Sequence, residues 1–195
     1  MFSYQVNQSI QLALMQPHNA LEIYELVNDN KPYLRKWLGW VDQINSPEDY
    51  RDTIIPMWLK QFAVLNGFNA GIYYDNQLVG MISLHFINRK TNYTSIGYYL
   101  AEKFQGRGIV IRCVRALLEY AFTVLELNKV EIQCATDNLK SRKVPEKLGF
   151  TMEGTTRDAE YINGQYNDIA TYSLLREEWI PKMNKDECQT AFQNK

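Results

Sequence analysis

Apolar positions along this chain recur at two spacings, and the switches between them mark out the elements. Between residues 77 and 87 they alternate. Leu78, Gly80, Ile82, Leu84 and Phe86 share one face, and Val79, Met81 and Ile87 the other. A strand that is apolar on both faces belongs inside a sheet, covered on each side. Residues 70–74 form its hairpin partner across Asp75-Asn76, a pair that suits a two-residue turn. Residues 93–100 and 129–135 predict two more strands, the second with Val130, Ile132 and Cys134 on one face. Residues 150–161 and 165–175 predict a closing hairpin around Asn163-Gly164, and residues 3–15 a first strand.

The helical spacing is clearest over residues 108–127. There Val110, Val114, Leu117, Ala121 and Leu125 form an apolar stripe, and Arg112, Arg115, Glu119, Thr123 and Glu126 a polar one. Residues 17–40 read as helical in two pieces around Pro32. Ser46-Pro47-Glu48-Asp49 predicts a helix start, with Ser46 as cap, and a run to Leu65 that breaks at Pro56. A short helix over 138–148 contains Pro145 and stops at Gly149. The sum is an α+β fold, a mixed and mostly antiparallel central sheet with helices on both faces. One domain over residues 1–180 and a polar tail over 181–195 are expected; no internal repeat is visible.

Composition narrows the function by exclusion. A net charge of −1, and no basic stripe interleaved with the 13% aromatic residues, argue against direct nucleic-acid binding. No apolar run reaches the roughly 18 residues of a membrane span, and the first residues do not read as a secretory leader. Cys113, Cys134 and Cys188 are odd in number and form no C-x-x-C pair, which predicts a reducing compartment, the cytoplasm. His18 and His85 are the chain's two histidines, so no metal site is expected.

The stretch with chemistry in it is Phe104-Gln105-Gly106-Arg107-Gly108-Ile109-Val110, between the strand at 93–100 and the long helix. A helix start exposes backbone N–H groups that lack internal partners and carries partial positive charge. Glycine lets that backbone approach a ligand closely. Strand, Gly-x-Gly and helix together make an anion cradle, to which Arg107 adds a cation. Arg112 and Arg115 early in the helix, with Glu119 and Glu126 late, oppose the helix dipole, a cost that a bound polyanion offsets. Taken alone, the segment also reads as a tight turn with solvated arginines. It is neither a P-loop, lacking Gly-Lys-Ser/Thr, nor a dinucleotide fingerprint, lacking the third glycine.

The wider pattern resolves the ambiguity. Gln105-Gly106-Arg107-Gly108-Ile109-Val110 resembles the Q/R-x-x-G-x-G/A segment of the GNAT acyltransferases. Gly97-Tyr98-Tyr99, Asn138-x-x-Ser141, Val144-Pro145-Glu146-Lys147-Leu148-Gly149-Phe150 and Trp37-Leu38-x-Trp40, in that arrangement, are similar to the RimJ/RimL-type N-acetyltransferases. Val110 departs from the small residue of the general pattern. The resemblance implies that backbone N–H groups of Gln105, Gly106, Arg107, Gly108, Ile109 and Val110 hold the pyrophosphate of acetyl-CoA. It implies a pantetheine arm paired with the strand edge at Tyr98, Tyr99 and Leu100, held also by Asn138. Glu160 is the implied base and Ser141 the group beside the departing sulfur. Tyr33, Trp37 and Trp40 wall the acceptor site, with Tyr161 a further wall residue and Arg142 and Lys143 candidates for the 3′-phosphate. His85 reads as a strand residue, and Cys134 is not a nucleophile. The implied partners are acetyl-CoA, an amine acceptor and, as a fair guess, a second copy of the chain in a homodimer. The acceptor is first the N-terminal α-amine of a ribosomal or other protein. The alternatives are a small amine such as a polyamine or antibiotic, or a module that binds acetyl-CoA without catalysis.

Overall fold

A computed structural model describes residues 3–179. The strands are β1 (Ser3–Gln5), β2 (Ile10–Leu14), β3 (Phe68–Tyr74), β4 (Gln77–Leu84), β5 (Tyr93–Leu100), β6 (Lys129–Ala135), β7 (Thr151–Ile162) and β8 (Gln165–Leu175). They make one sheet in the order β1-β2-β3-β4-β5-β6-β8-β7. Every neighbouring pair is antiparallel except β5 with β6. The helices are α1 (Ala20–Asp29), α2 (Lys31–Leu34), α3 (Ile55–Ala63), α4 (Ile109–Glu119) and α5 (Leu139–Leu148). The expected tail over 181–195 lies outside the described residues.

The alternation read for this strand holds as far as Leu84: Leu78, Val79, Met81, Ile82 and Leu84 are all buried, so both faces are covered, but the strand ends there and Phe86, expected on the same face, is exposed. Asp75 and Asn76 adopt φ of 48° and 63°, the left-handed pair that a two-residue hairpin needs. On α4, Ile109, Cys113, Val114 and Leu117 pack into the same core as Ile82, Leu84 and Ile96.

Three expectations are corrected. The single strand over 3–15 is two, because the Asn7 side chain accepts from the N–H groups of Ser9 (3.0 Å) and Ile10 (2.8 Å) and folds the backbone into a turn. The helix expected from Ser46 does begin at Pro47, but it passes into a π-helical turn, Asp49–Ile54, before α3. Ser46 does not cap it; the Asp49 carboxylate instead accepts from the N–H groups of Asn45 and Ser46. The break expected at Pro56 takes the form of this π-helical turn: the helix runs on through Pro56, which has no N–H for a carbonyl one turn earlier, and the wider turn lies immediately before it. The long helix likewise widens into a π-helical turn at Tyr120–Val124, which leaves Val124 exposed while Phe122 and Leu127 reach the core.

The sheet parts down its middle. β5 and β6 pair at Tyr93 with Lys129, Thr94 with Val130 and Ser95 with Glu131, and then separate. β5 stays with β4 as far as Leu100 opposite Gly80, and β6 stays with β8 as far as Ala135 opposite Ile169. The edge of β5 from Ile96 to Leu100 that faces away from β4 therefore has no partner strand.

Candidate active site

A cleft of about 1420 Å³ opens at this split. One end is the loop before α4. Gly106 and Gly108 take φ of 77° and 69°, left-handed values that cost L side chains roughly 1–2 kcal/mol. Nothing lies within 4 Å of a Cβ built on Gly106. With Gly108 as the last residue before the helix, the free N–H groups of the first turn of α4 face open space, and Gln105, Gly106, Gly108, Ile109 and Val110 line it. Open space in front of free N–H groups at a helix N-terminus is a setting that favours an anion.

The arginines do not complete it as expected. The Arg107 guanidinium lies against the rings of Phe104 (5.1 Å) and Tyr74 (5.9 Å) and donates to the Lys103 carbonyl, so this residue offers the cradle its backbone alone. Arg112 donates to the Arg107 carbonyl at 2.9 Å, and Arg115 stacks on Trp179. Their placement early in α4 is thus accounted for by local contacts. Cations reach the cleft instead from α5, where Lys140, Lys143 and Lys147 line it. Their spacing of three and four puts all three on one helix face. Lys140 donates to the Gln105 side chain at 2.8 Å. Arg142, one position from Lys143, points elsewhere: it bonds the Tyr172 hydroxyl (2.9 Å) and the Thr136 carbonyl (3.0 Å) and approaches Glu146.

The middle of the cleft is held open by a repair. Pro145 inside α5 has no N–H for the carbonyl four residues earlier, that of Ser141. The Tyr98 hydroxyl donates to that carbonyl at 3.0 Å, and the Ser141 hydroxyl lies 3.3 Å from the same phenol. Tyr98 on β5 is thereby tied across the gap to α5. The Asn138 side chain accepts from the Ser141 N–H at 3.1 Å and caps the helix, while the residue also lines the cleft. Cys134 lines the same region, and burial raises its thiol above the usual range.

The far end is an aromatic chamber. Tyr33, Trp37 and Trp40 line it as expected, with Trp40 5.7 Å from Tyr99. Lys140 sits 5.7 Å from the Tyr33 ring. The π-helical turn and α3 add Tyr50, Ile54, Met57 and Trp58, wall residues that sequence spacing did not single out because they depend on the π register. The Tyr50 hydroxyl is buried and has no hydrogen-bond partner among the described residues. Glu160 enters from β7 at a bulge between Thr156 and Glu160, where Asp158 has φ of 49° and its N–H is held by Asp168. Its carboxyl, raised above the ordinary range by burial, has no ion-pair partner among the described residues. Tyr161 does not join the chamber; it stacks on Tyr166 at 4.7 Å and is exposed. His85 does line the cleft, a position that the strand pattern alone did not reveal. The tip of the β7–β8 hairpin closes over the chamber: Ile162 is buried beside Gly39, and Asn163 donates to the Arg35 carbonyl.

A glycine-built phosphate cradle, a free strand edge and a chamber for a second reactant make up the equipment of a coenzyme A acyltransferase, and comparison with known proteins agrees. The acetyltransferase (GNAT) domain family matches residues 10–151. "Putative ribosomal N-acetyltransferase YdaF" of Bacillus subtilis (strain 168) is 46% identical over 92% of this chain and 98% of its own length. The ribosomal-protein-serine acetyltransferase of Escherichia coli (strain K12) is 31% identical over 87% of this chain and 94% of its own. A solved RimL, described as a ribosomal L7/L12 alpha-N-protein acetyltransferase in complex with coenzyme A, superposes with a TM-score of 0.86 at 27% identity, covering 90% of this chain and 99% of that one. The chain belongs to the GNAT acetyltransferases, in their RimJ/RimL-type branch, and is an N-acetyltransferase that uses acetyl-CoA.

Proposed function

We propose that the acceptor is the N-terminal α-amine of a protein, a ribosomal protein first among the candidates, and that it attacks the thioester directly in a ternary complex. The observation that carries this reading is the scarcity of carboxylates among the described residues of the cleft. Among the described residues Glu160, from β7, and Glu102, from the turn before the glycine loop, are the carboxylates that line the cleft, and Glu160 has no ion-pair partner there. One carboxylate suits one ammonium group, whereas a polyamine calls for several. An α-amine, with a pKa of about 7.7–8.0 against about 10.4 for lysine, is partly neutral near pH 7 and needs only modest help to lose its proton. Relatives that act on ribosomal proteins support the same reading.

In this account the first-turn N–H groups of α4 and the α5 lysines bind the phosphates. The free edge of β5 takes the pantetheine arm as an added strand, and a backbone N–H of that edge polarises the thioester carbonyl. Glu160 draws in the ammonium and accepts its proton, directly or through water, and the Ser141 hydroxyl orients the departing thiolate. Cys113 and Cys134 are buried free thiols, which supports a reducing compartment such as the cytoplasm. The test is thiol release from acetyl-CoA with peptides bearing a free α-amine, peptides bearing only a lysine side-chain amine, and spermidine. Turnover at least about tenfold faster with the first set is the expected result. A preference for spermidine or for the lysine peptides overturns the assignment.

A further inference from the structure

An incoming α-ammonium loses two protons before it becomes an amide nitrogen, and Glu160 accounts for one. We propose that His85 is the second proton acceptor, taking the proton that the nitrogen sheds as the C–N bond forms; this rests on the N-acetyltransferase reading above. His85 follows β4 directly, at the vertex where β5 and β6 part, and its backbone is clamped there from both sides. Its N–H donates to the Ser95 carbonyl at 2.9 Å, and its carbonyl accepts from the Thr94 hydroxyl at 3.1 Å. The Nδ1 atom lies 3.0 Å from the Ser95 hydroxyl, which fixes the ring. The other nitrogen, Nε2, lies over Gly97, where a Cβ would come within 2.7 Å of it and 2.6 Å of Cε1. The missing side chain at position 97 is what gives the ring its place.

That place matters because the parting of the strands limits how far the arm can reach. An arm entering from the cradle along the free edge of β5 runs from Leu100 toward Ser95, five residue steps or about 17 Å at strand rise. It stops where β6 closes on β5. The thioester end is therefore brought to the neighbourhood of Gly97, beneath the His85 ring, and Ser83, Ser95 and Asn69 line the same floor.

The chemistry balances. The amine nitrogen bonds to the carbonyl carbon, and that nitrogen becomes far more acidic than a free ammonium, so a weak base suffices to take its proton. The C–S bond breaks, and the thiolate leaves on the Ser141 side and takes up a proton from solvent. The imidazolium returns its proton to water through the cleft, to which the ring is open. Partial burial against the cleft wall lowers the imidazole pKa below the ordinary 6.5. The groups around it do not compete near neutrality: burial raises the Tyr50, Tyr98 and Tyr99 phenols well above their usual range and raises the Cys134 thiol. Glu160 on β7 lines the same cleft, as do Lys140, Lys143, Lys147 and Glu102.

Two readouts test this. The first needs no turnover: imidazole resonances of the full chain are followed by NMR during titration with acetyl-CoA, with His85→Asn separating His85 from His18. Movement of the His85 signals, with those of exposed His18 unmoved, is expected. If acetyl-CoA binds and the His85 signals stay in place, the proposal is overturned. Failure of acetyl-CoA to bind at all overturns the function reading instead. The second readout is turnover against pH with a peptide bearing an N-terminal serine. His85→Asn is expected to lower kcat at least about tenfold, to leave the acetyl-CoA Kd unchanged, and to remove the imidazole limb of the pH profile, which Glu160→Gln retains while losing its own carboxylate limb. An unchanged kcat and profile in His85→Asn overturns the proposal, as does loss of the same limb in both variants.

Discussion

Replacing Gly108 by glutamate tests the cradle at its narrowest point. Residue 108 has φ of 69°, so any L side chain costs roughly 1–2 kcal/mol in the left-handed region. A Cβ there meets Arg112 Nη1 at 3.3 Å, the far end of a flexible side chain that yields. The fold therefore survives, with a melting temperature lowered by about 2–4 °C per kcal/mol for a chain of this size. Binding suffers more. A carboxylate about 4 Å from a phosphate charge repels it by roughly 4 kcal/mol at an effective dielectric constant near 20. Allowing the side chain to swing toward solvent, a loss of about 3 kcal/mol remains, on the order of 100-fold in affinity. The assay is calorimetric titration with coenzyme A beside thermal melting. Gly108→Asn is the control, since asparagine tolerates the left-handed region and carries no charge. The account expects coenzyme A affinity to fall about 100-fold or more in the glutamate variant, with part recovered in high salt, and a distinctly smaller loss for asparagine. A folded glutamate variant that binds within about threefold of the parent refutes the reasoning.

Other changes separate the parts of the site. Glu160→Gln should cut turnover about 100-fold while leaving coenzyme A affinity nearly intact; equal rates at every pH in variant and parent would remove Glu160 from the mechanism. Because burial raises the Glu160 carboxyl and the base must be ionised, the parent rate should fall with acid at a pH above the ordinary carboxylate value of 4.5, and a limb at or below that value contradicts the assignment. Tyr98→Phe strips the Ser141 carbonyl of its substitute donor and should cost about 1–3 kcal/mol in urea unfolding; a neutral result means that water replaces the phenol. Arg142→Met should destabilise by a similar amount through Tyr172 and the Thr136 carbonyl, without weakening coenzyme A binding, whereas Lys143→Met should do the reverse.

The sequence carried most of the scaffold because its signals were local. Asp75-Asn76 and Gly149 fix their backbone conformations whatever surrounds them, and the two faces of β4 announce a covered strand. The Gly106 and Gly108 signal was equally local, which is why the glycine turn ahead of α4 was legible. What escaped depends on register or on contacts between distant segments. Arg142 and Lys143 are adjacent in sequence, yet a helix turns about 100° per residue, and only the placement of α5 decides which one meets the cleft. The spacing of Lys140, Lys143 and Lys147 held that answer, read as a face rather than as single residues. The π-helical turns at Asp49–Ile54 and Tyr120–Val124 have no sequence pattern distinct from an α-helix, so the wall formed by Tyr50 and Trp58 was not foreseen. Asn7-x-Ser9 is a turn signal that could have divided the first strand. His85 was placed on a strand by its neighbours; that it lines the cleft emerges only once β5 and β6 are seen to part beside it.

The most direct test is a crystal structure of the chain with coenzyme A. The account predicts the diphosphate on the N–H groups of residues 105–110 and the pantetheine arm hydrogen-bonded along the β5 edge between Ile96 and Leu100. A diphosphate bound elsewhere, or an arm that leaves that edge untouched, contradicts it.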